Sequence, residues 1–222
     1  MLDTSTPAVT AALVRVDSPS VGGDGVTVLA QRRTVDGRAH GELLAPAIQA
    51  VLAEAGAKPA DLAAIVAGLG PGPFTGLRVG LVTAAAMAQA LAIPAYGVCS
   101  LDGIGASLPG VALVATDARR KEVYWAVYDQ GVRIIGPAVD RPADVPVLAR
   151  RSGFALVAGE GARLYPDAFG VPVADEPCYP SPRVLAALAA DRIRSGVDGE
   201  LLRPLYLRRP DAVEPVARVA LP

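Results

Sequence analysis

The sequence predicts an α/β fold of two lobes that repeat one arrangement of strands. In each half an apolar strand ends at an aspartate, Asp3 or Asp117, and six residues later Val9 or Val123 lies in a second strand. A third strand and then helices follow in both halves. The chain has 222 residues, of which 52% are apolar, so it can bury a sizeable core. Two rounds of three strands followed by helices indicate a duplicated lobe with a cleft between the copies.

The first lobe is predicted to cover residues 1–108. Alternating or continuous apolar runs predict strands over residues 8–16, 26–33, 63–69 and 93–98, and helical spacing predicts helices over 38–55 and 76–91. Pro46 either kinks the first helix or marks its true start. Only Met1 and Leu2 precede Asp3, so the opening strand is either a stub or begins at a start codon further upstream, and the second reading is favoured.

The second lobe is predicted to cover residues 109–222. Its strands are expected over residues 111–116, 123–128 and 132–135, its last clear helix over 182–195, and a tail over 201–207.

Composition excludes several classes of protein. The net charge of −1 argues against binding to nucleic acid through an overall field, and the basic pairs along the chain have no aromatic residues between them. Cys99 and Cys178 lie far apart, which excludes a disulfide-dense secreted scaffold, and Cys99 is expected in the core. No signal peptide fits the start, and the apolar stretch 77–92 is too short and alanine-rich to span a bilayer. We therefore expect a cytoplasmic protein with no membrane partner.

The glycine-rich segment 70–80 is the most informative motif. It follows a buried strand and leads into a helix, where free N–H groups favour anions. It lacks the lysine of a Walker loop, so a tight strand-to-helix turn is the competing interpretation. The candidate phosphate or nucleotide contacts are Asp3, Thr4, Ser5, Gly70, Gly72, Thr75 and Gly76.

The helix over 76–91 is apolar on two faces. One stripe, Leu77, Leu81, Ala84, Ala88 and Leu91, can pack on the first sheet. A second stripe needs another cover, which is either a partner protein or the second lobe or C-terminal helix of this chain. The predicted partner interface consists of Val79, Thr83, Ala86, Ala90, His40 and Leu44. His40, the only histidine, is expected at the surface or in this interface.

Five segments together resemble the bacterial TsaB (YeaZ) family. They are residues 3–7, 70–80, 96–102, 117–124 and 204–208, and the resemblance spans nearly the whole chain. The departures are Pro73, where a serine is common, and the absence of residues before the opening strand. The resemblance implies two actin-like (ASKHA, ribonuclease H-like) lobes that are degenerate relative to TsaD.

The resemblance also implies a role in making threonylcarbamoyladenosine, a modified base beside the anticodon of tRNAs. In that pathway TsaD transfers threonylcarbamoyl from threonylcarbamoyl-AMP to tRNA, TsaB binds TsaD as a required partner, and the ATPase TsaE joins them. The chain would then contact tRNA only indirectly and bind no cofactor tightly by itself, with ATP and a metal on the partner subunits. An apolar helix pair that awaits TsaD is also compatible with a homodimer, and the sequence does not determine the oligomeric state of the chain alone.

The residues favour a non-catalytic subunit. TsaD-like proteins hold a metal with two histidines on the segment that resembles residues 98–104, and the matching positions here are Ser100 and Ile104. Neither side chain is a suitable ligand for such a metal, and one histidine cannot form a pair. The expected metal site is therefore none, and a glycoprotease label finds no support.

Two alternatives remain open at this point. The first is a small-molecule kinase or ATPase that uses the inter-lobe cleft, with Asp3 and Asp117 near a bound metal. Its weakness is that the second lobe offers only Gly159-Glu160-Gly161 as an adenosine-binding loop. The second is a direct tRNA binder, which needs a basic stripe that the near-neutral composition does not predict.

Overall fold

Two mixed β-sheets organise residues 1–208, the part of the chain that the computed structural model describes. The first sheet has the order β3-β2-β1-β4-β5 and the second the order β8-β7-β6-β9. The strands are β1 (Leu2–Asp3), β2 (Ala8–Val16), β3 (Val26–Val35), β4 (Ile65–Gly68), β5 (Ala95–Val98), β6 (Val111–Asp117), β7 (Val123–Asp129), β8 (Val132–Asp140) and β9 (Leu156–Ala158). The helices are α1 (His40–Glu54), α2 (Phe74–Leu91), α3 (Asp102–Gly105), α4 (Val145–Ala149), α5 (Glu160–Leu164) and α6 (Pro182–Arg194).

The two sheets confirm the duplication. In the first, β1 pairs antiparallel with β2, β2 antiparallel with β3, and β1 parallel with β4. In the second, β6, β7, β8 and β9 repeat the same three pairings in the same order. Each lobe is therefore a three-strand meander, as the two rounds of strands predict, extended by the parallel strands β4 and β5 in the first sheet and by β9 in the second.

The core of the first lobe lies on both faces of its sheet. Alternate residues of β4 point to opposite faces, so Ile65 and Ala67 meet α1 and α2 while Val66 meets α6. From the helices, Leu44 and Leu77 lie in the first cluster and Leu185 in the second. Helix α6 thus packs on the first sheet, although it follows the second lobe in the chain.

The second lobe is layered in the same way. Leu113, Val123 and Trp125 face α4 and α5, whereas Val114 and Tyr124 face the side of α3. Both cysteines are free and buried, which confirms Cys99 as a core residue; burial raises the pKa of its thiol to about 11.

Several element boundaries differ from the sequence predictions. Helix α1 runs from His40 through Pro46, so that proline does not mark its start; it leaves the carbonyl of Glu42 without an i+4 amide donor. Helix α2 begins at Phe74, two residues earlier than predicted. Strand β8 extends to Asp140, five residues beyond the predicted end. Residues 209–222 of the predicted second lobe lie outside the described part of the chain.

Candidate functional site

Asp3 closes a hydrogen-bond network at the end of β1. Its Oδ1 accepts from the backbone N–H of Ser5 at 3.1 Å and from the Ser5 hydroxyl at 2.8 Å, and its Oδ2 accepts from the Ser100 hydroxyl at 2.6 Å. Burial raises the pKa of the Asp3 carboxyl, against the opposing effect of these hydrogen bonds. Both oxygens are therefore already engaged inside the protein, and Asp3 and Ser5 present no free polar atom to a phosphate.

The glycine-rich segment packs its backbone directly on this network. A Cβ atom at Gly68 would lie against the Asp3 carboxylate, and one at Gly72 would lie against the backbone oxygen of Ser5. Gly70 donates its N–H to the Ser100 hydroxyl at 3.1 Å, and the N–H of Ser100 donates to the Gly70 carbonyl at 2.7 Å. These contacts fit the strand-to-helix turn that the sequence left as one of two interpretations.

Thr4 ties the same region to α2. Its hydroxyl donates to the carbonyl of Gly76 at 2.7 Å and accepts from the N–H of Gly80 at 3.0 Å. Of the candidate phosphate contacts, Thr4, Thr75 and Gly76 line a cavity of about 240 Å³ together with Arg119, whereas Asp3, Ser5, Gly70 and Gly72 do not. The structure thus brings together only part of the predicted set at one opening.

The predictions for His40 and Leu44 are corrected. Leu44 is 1% exposed and lies in the core between α1 and the sheet, so it has no surface for a partner. His40 is buried, with Nε2 at 2.9 Å from the carbonyl oxygen of Thr6, because the first turn of α1 packs over the turn between β1 and β2. Helical spacing alone allowed His40 and Leu44 to lie on either the inner or the outer face of α1. The packing of α1 on the sheet determines that both lie on the inner face.

Helix α2 has an apolar outer face. Leu77, Leu81, Ala84 and Ala88 are buried on the sheet as predicted. In the second stripe, Val79 and Thr83 are half-buried and Ala86 and Ala90 are exposed. The largest exposed apolar side chain in the middle of the helix is Val82, at 66%, which the sequence prediction missed. The outer face is therefore rotated by about one residue from the predicted stripe, and within residues 1–208 neither α6 nor the second lobe covers it.

Length and composition alone would let α2 (Phe74–Leu91) cross a membrane. A core helix of a soluble protein meets the same test, and one side of α2 packs on its own sheet.

Glu160 is a buried acid that the sequence gave little reason to select. It follows β9 at the start of α5, is 6% exposed, and accepts from the N–H of Asp117 through Oε1 at 3.2 Å. Its Oε2 has no hydrogen-bond partner within residues 1–208. Desolvation raises its pKa to about 8, opposed by the Asp117 N–H and assisted by the charges of Asp117 and Asp3. The two strand-end aspartates and Glu160 thus face one inter-lobe region.

The positions that resemble metal-binding histidines are used for packing. The Ser100 hydroxyl donates to Asp3, and Ile104 is fully buried beside Tyr128 and Leu101. Within the described residues, no group of three or more His, Cys, Asp or Glu side chains is arranged to hold a metal ion. The donor set does not fit a metal centre of that kind.

Comparison with protein families places this geometry in context. Residues 28–176 match the model of the family described as TsaD: tRNA N6-adenosine threonylcarbamoyltransferase. An uncharacterised protein of Mycobacterium tuberculosis is 50% identical over 213 residues, which cover 95% of this chain and 92% of that relative.

Two further relatives carry informative names. The tRNA threonylcarbamoyladenosine biosynthesis protein TsaB of Escherichia coli is 32% identical over 188 residues, covering 77% of this chain and 81% of its own length. The solved structure of YeaZ from Pseudomonas aeruginosa is 28% identical and superimposes with a TM-score of 0.72, covering 93% of this chain and 97% of that one.

Proposed function

Since this chain belongs to the TsaB (YeaZ) family, we propose that it is a non-catalytic subunit that binds and supports TsaD, with TsaE, in the transfer of threonylcarbamoyl to tRNA. The family gives it a role in tRNA threonylcarbamoyladenosine biosynthesis and two actin-like lobes. The cytoplasm is the compartment in which we expect it to work.

The outer face of α2 is the observation that carries this proposal. Val82, Ala85, Ala86 and Ala90 expose an apolar, small-residue surface on a helix whose other side is core. Water contact with this surface is unfavourable, and small side chains permit close approach of another helix. With the neighbouring exposed residues of α1, it offers a face of the kind that a stable interface of about 800 Å² per partner requires. TsaD is the occupant that we propose, and a second copy of the chain is the competing one.

The non-catalytic assignment is supported by the internal hydrogen bonds and packing contacts that the candidate catalytic positions already make. Asp3 has both oxygens engaged, and Ser100 and Ile104 serve the core. The alternative kinase or ATPase would need Asp3 or Asp117 free to hold a metal. We propose that this subunit alone binds no cofactor tightly and that ATP and a metal reside on the partner subunits; equilibrium dialysis of the isolated chain with ATP and Mg²⁺ tests this directly.

The decisive experiment co-purifies this chain with TsaD of the same organism and measures threonylcarbamoyl transfer to tRNA. Val82→Arg and Ala86→Arg place a charge in the proposed contact and should weaken TsaD binding by more than about 30-fold, as at an interface hot spot. Because both positions are exposed, the free energy of unfolding should change by less than about 0.5 kcal/mol.

Leu188→Arg is the matched control. It adds the same charge at an exposed apolar position of α6, on the opposite face of the first sheet, and should leave TsaD binding unchanged. Full transfer by TsaD without this chain, or equal loss of binding in the Leu188 variant, would overturn the proposal. Sedimentation of the isolated wild-type chain and of Val82→Arg, compared with each other, reports whether a homodimer forms through the same face.

A further inference from the structure

Three exposed side chains form a stack at the start of α2. The rings of Phe74 and Tyr206 lie 5.3 Å apart at 26°, and they are 43% and 40% exposed. The Arg78 guanidinium lies 4.0 Å above the Phe74 ring, and its Nε donates to the Tyr206 hydroxyl at 2.9 Å. Within residues 1–208 no carboxylate lies within salt-bridge distance of Arg78, so its charge faces solvent together with two aromatic rings.

The hairpin between β6 and β7 presents further cations in a strained backbone. Arg119, Arg120 and Lys121 have φ values of 61°, 54° and 62°, and all three are exposed. Each left-handed residue that is not glycine costs roughly 1–2 kcal/mol. The turn is held by two backbone hydrogen bonds, from the N–H of Ala118 to the Glu122 carbonyl and from the N–H of Glu122 to the Arg119 carbonyl, both at 3.0 Å. Strain of this kind, retained where glycine would relieve it, is characteristic of functional segments.

These two features share one opening. Arg119 and Phe74 line the same cavity of about 240 Å³, whose other walls include the threonines Thr4, Thr6 and Thr75. The hairpin is fixed over the glycine-rich segment by the Tyr124 hydroxyl, which donates to the Gly72 carbonyl at 3.4 Å. On its other side, Arg208 donates to the carbonyl of Ala118 at 3.1 Å, two residues after Tyr206. Three distant parts of the chain therefore meet beside this opening: Phe74 and Arg78 of α2, Tyr206, and Arg119 of the hairpin. The Arg119 Nε also lies 3.7 Å from the Asp117 carboxylate, whereas Lys121 is exposed on the same hairpin.

We propose that this surface, defined by Phe74, Arg78, Arg119, Lys121 and Tyr206, binds single-stranded RNA. An exposed aromatic pair is a platform for an unstacked base, and arginine and lysine around it neutralise phosphates. The cations favour RNA over a protein partner, because the apolar face of α2 that suits a protein begins only beyond Arg78. The identification of this RNA as a tRNA rests on the proposed function. The argument from base stacking and phosphate contacts is independent of that function.

The test measures RNA binding by the full chain without TsaD, by fluorescence anisotropy. The probes are a 12-nucleotide oligouridylate and an RNA duplex of equal length, at about 50 mM and 200 mM salt, where phosphate contacts differ most. The single strand should bind more tightly than the duplex. Tyr206→Ala removes half of the platform and should weaken its binding by about 5- to 100-fold. Lys121→Gln should reduce the slope of log affinity against log salt concentration by about one, which corresponds to the loss of one phosphate contact. The substitution leaves the stack intact.

The control variants separate this inference from the proposed function. Arg151→Gln removes an exposed cation elsewhere in the second lobe and should leave RNA binding unchanged. Three results would overturn the inference: no binding of the oligouridylate at low salt, equal affinity for strand and duplex with no effect of Tyr206→Ala, or loss of TsaD binding rather than RNA binding in the Tyr206 and Lys121 variants. None of them bears on whether the wild-type chain binds TsaD.

Discussion

Glu160 couples the pH of the solution to the stability of the fold. Its carboxyl is buried, and desolvation raises its pKa from 4.5 to about 8. Between these two pH values the folded chain retains a proton that the unfolded chain has released. The contribution of Glu160 to the free energy of unfolding therefore decreases as the pH rises through this range and is constant above it. Asp3 is shifted in the same direction by burial and adds to the effect.

Glu160→Gln should remove most of this pH dependence. The amide oxygen can still accept from the Asp117 N–H, and no charge has to be buried above neutral pH. We expect the variant to exceed the wild type in free energy of unfolding by about 2 kcal/mol at high pH and to differ little near the pKa of the unfolded carboxyl. Urea unfolding at both pH values measures this. Glu42→Gln, at an exposed site of α1, is the control; an equal gain there would contradict the assignment to burial.

At the scale of elements, the glycine-rich segment depends on the close approach of two backbones. Gly72→Ala would force a Cβ atom against the Ser5 carbonyl, and rigid backbone cannot yield as a side chain does. We expect a loss of about 1–3 kcal/mol or more in the free energy of unfolding, together with weaker TsaD binding if α2 is displaced. Thermal unfolding provides the measurement.

Gly41→Ala is the informative counterpart. Gly41 lies in the first turn of α1 with open space around its Cα, so alanine should raise the free energy of unfolding by about 0.5–1 kcal/mol. A loss at both glycines would indicate that backbone conformation, and not the contact with Ser5, decides the Gly72 result.

Local patterns in the sequence predicted most of the elements. Strand β2 matches its predicted limits because its residues are framed by turns, and the parallel between Asp3 and Asp117 predicted the repeated lobes. The position of α6 on the first sheet could not be predicted, since an apolar stripe shows that a helix packs but not on which sheet. The start of α2 was misplaced because Pro73 and Gly76 resemble loop residues.

The candidate surfaces were predicted only in part for a related reason. Helical spacing identified α2 as a helix with two apolar faces, but the angle of the outer face depends on how α1 and the sheet meet it, and Val82 was therefore missed. The pairing of Phe74 with Tyr206 joins the start of α2 to the segment after α6. No pattern within a short window contains it, and the basic residues looked isolated until the fold brought them beside these rings.

At the scale of the whole molecule, the segment after α6 binds both lobes. Glu200 donates its N–H to Ala95 at 2.9 Å, and its carboxylate accepts from the N–H of Gly97 and from Arg192, both at 2.7 Å. Further along, Leu205 donates to Leu69 at 2.8 Å, and Arg208 reaches Ala118 in the second lobe. Up to Arg208 the segment thus runs along the edge of the first sheet and reaches the second lobe.

Glu200→Ala should lower the free energy of unfolding by about 1–3 kcal/mol, because it leaves the Gly97 N–H and the Arg192 guanidinium without their carboxylate. Urea unfolding measures the change. Glu54→Ala, which removes the exposed ion pair with Arg32, should cost less than about 1 kcal/mol. Similar losses in the two variants would argue that the Glu200 contacts contribute no more than a surface ion pair.

The return of this segment to the second lobe has a mechanical consequence. The chain passes between the lobes in the connection into β6, in the connection back to α6, and once more where Arg208 meets Ala118. Two bodies joined at a single point can pivot in every direction, whereas bodies joined at several separated points keep few degrees of freedom. We therefore expect relative motion of the two lobes to be restricted to few directions, and a displacement of α2 to be felt at the β6–β7 hairpin through the segment that Arg208 anchors.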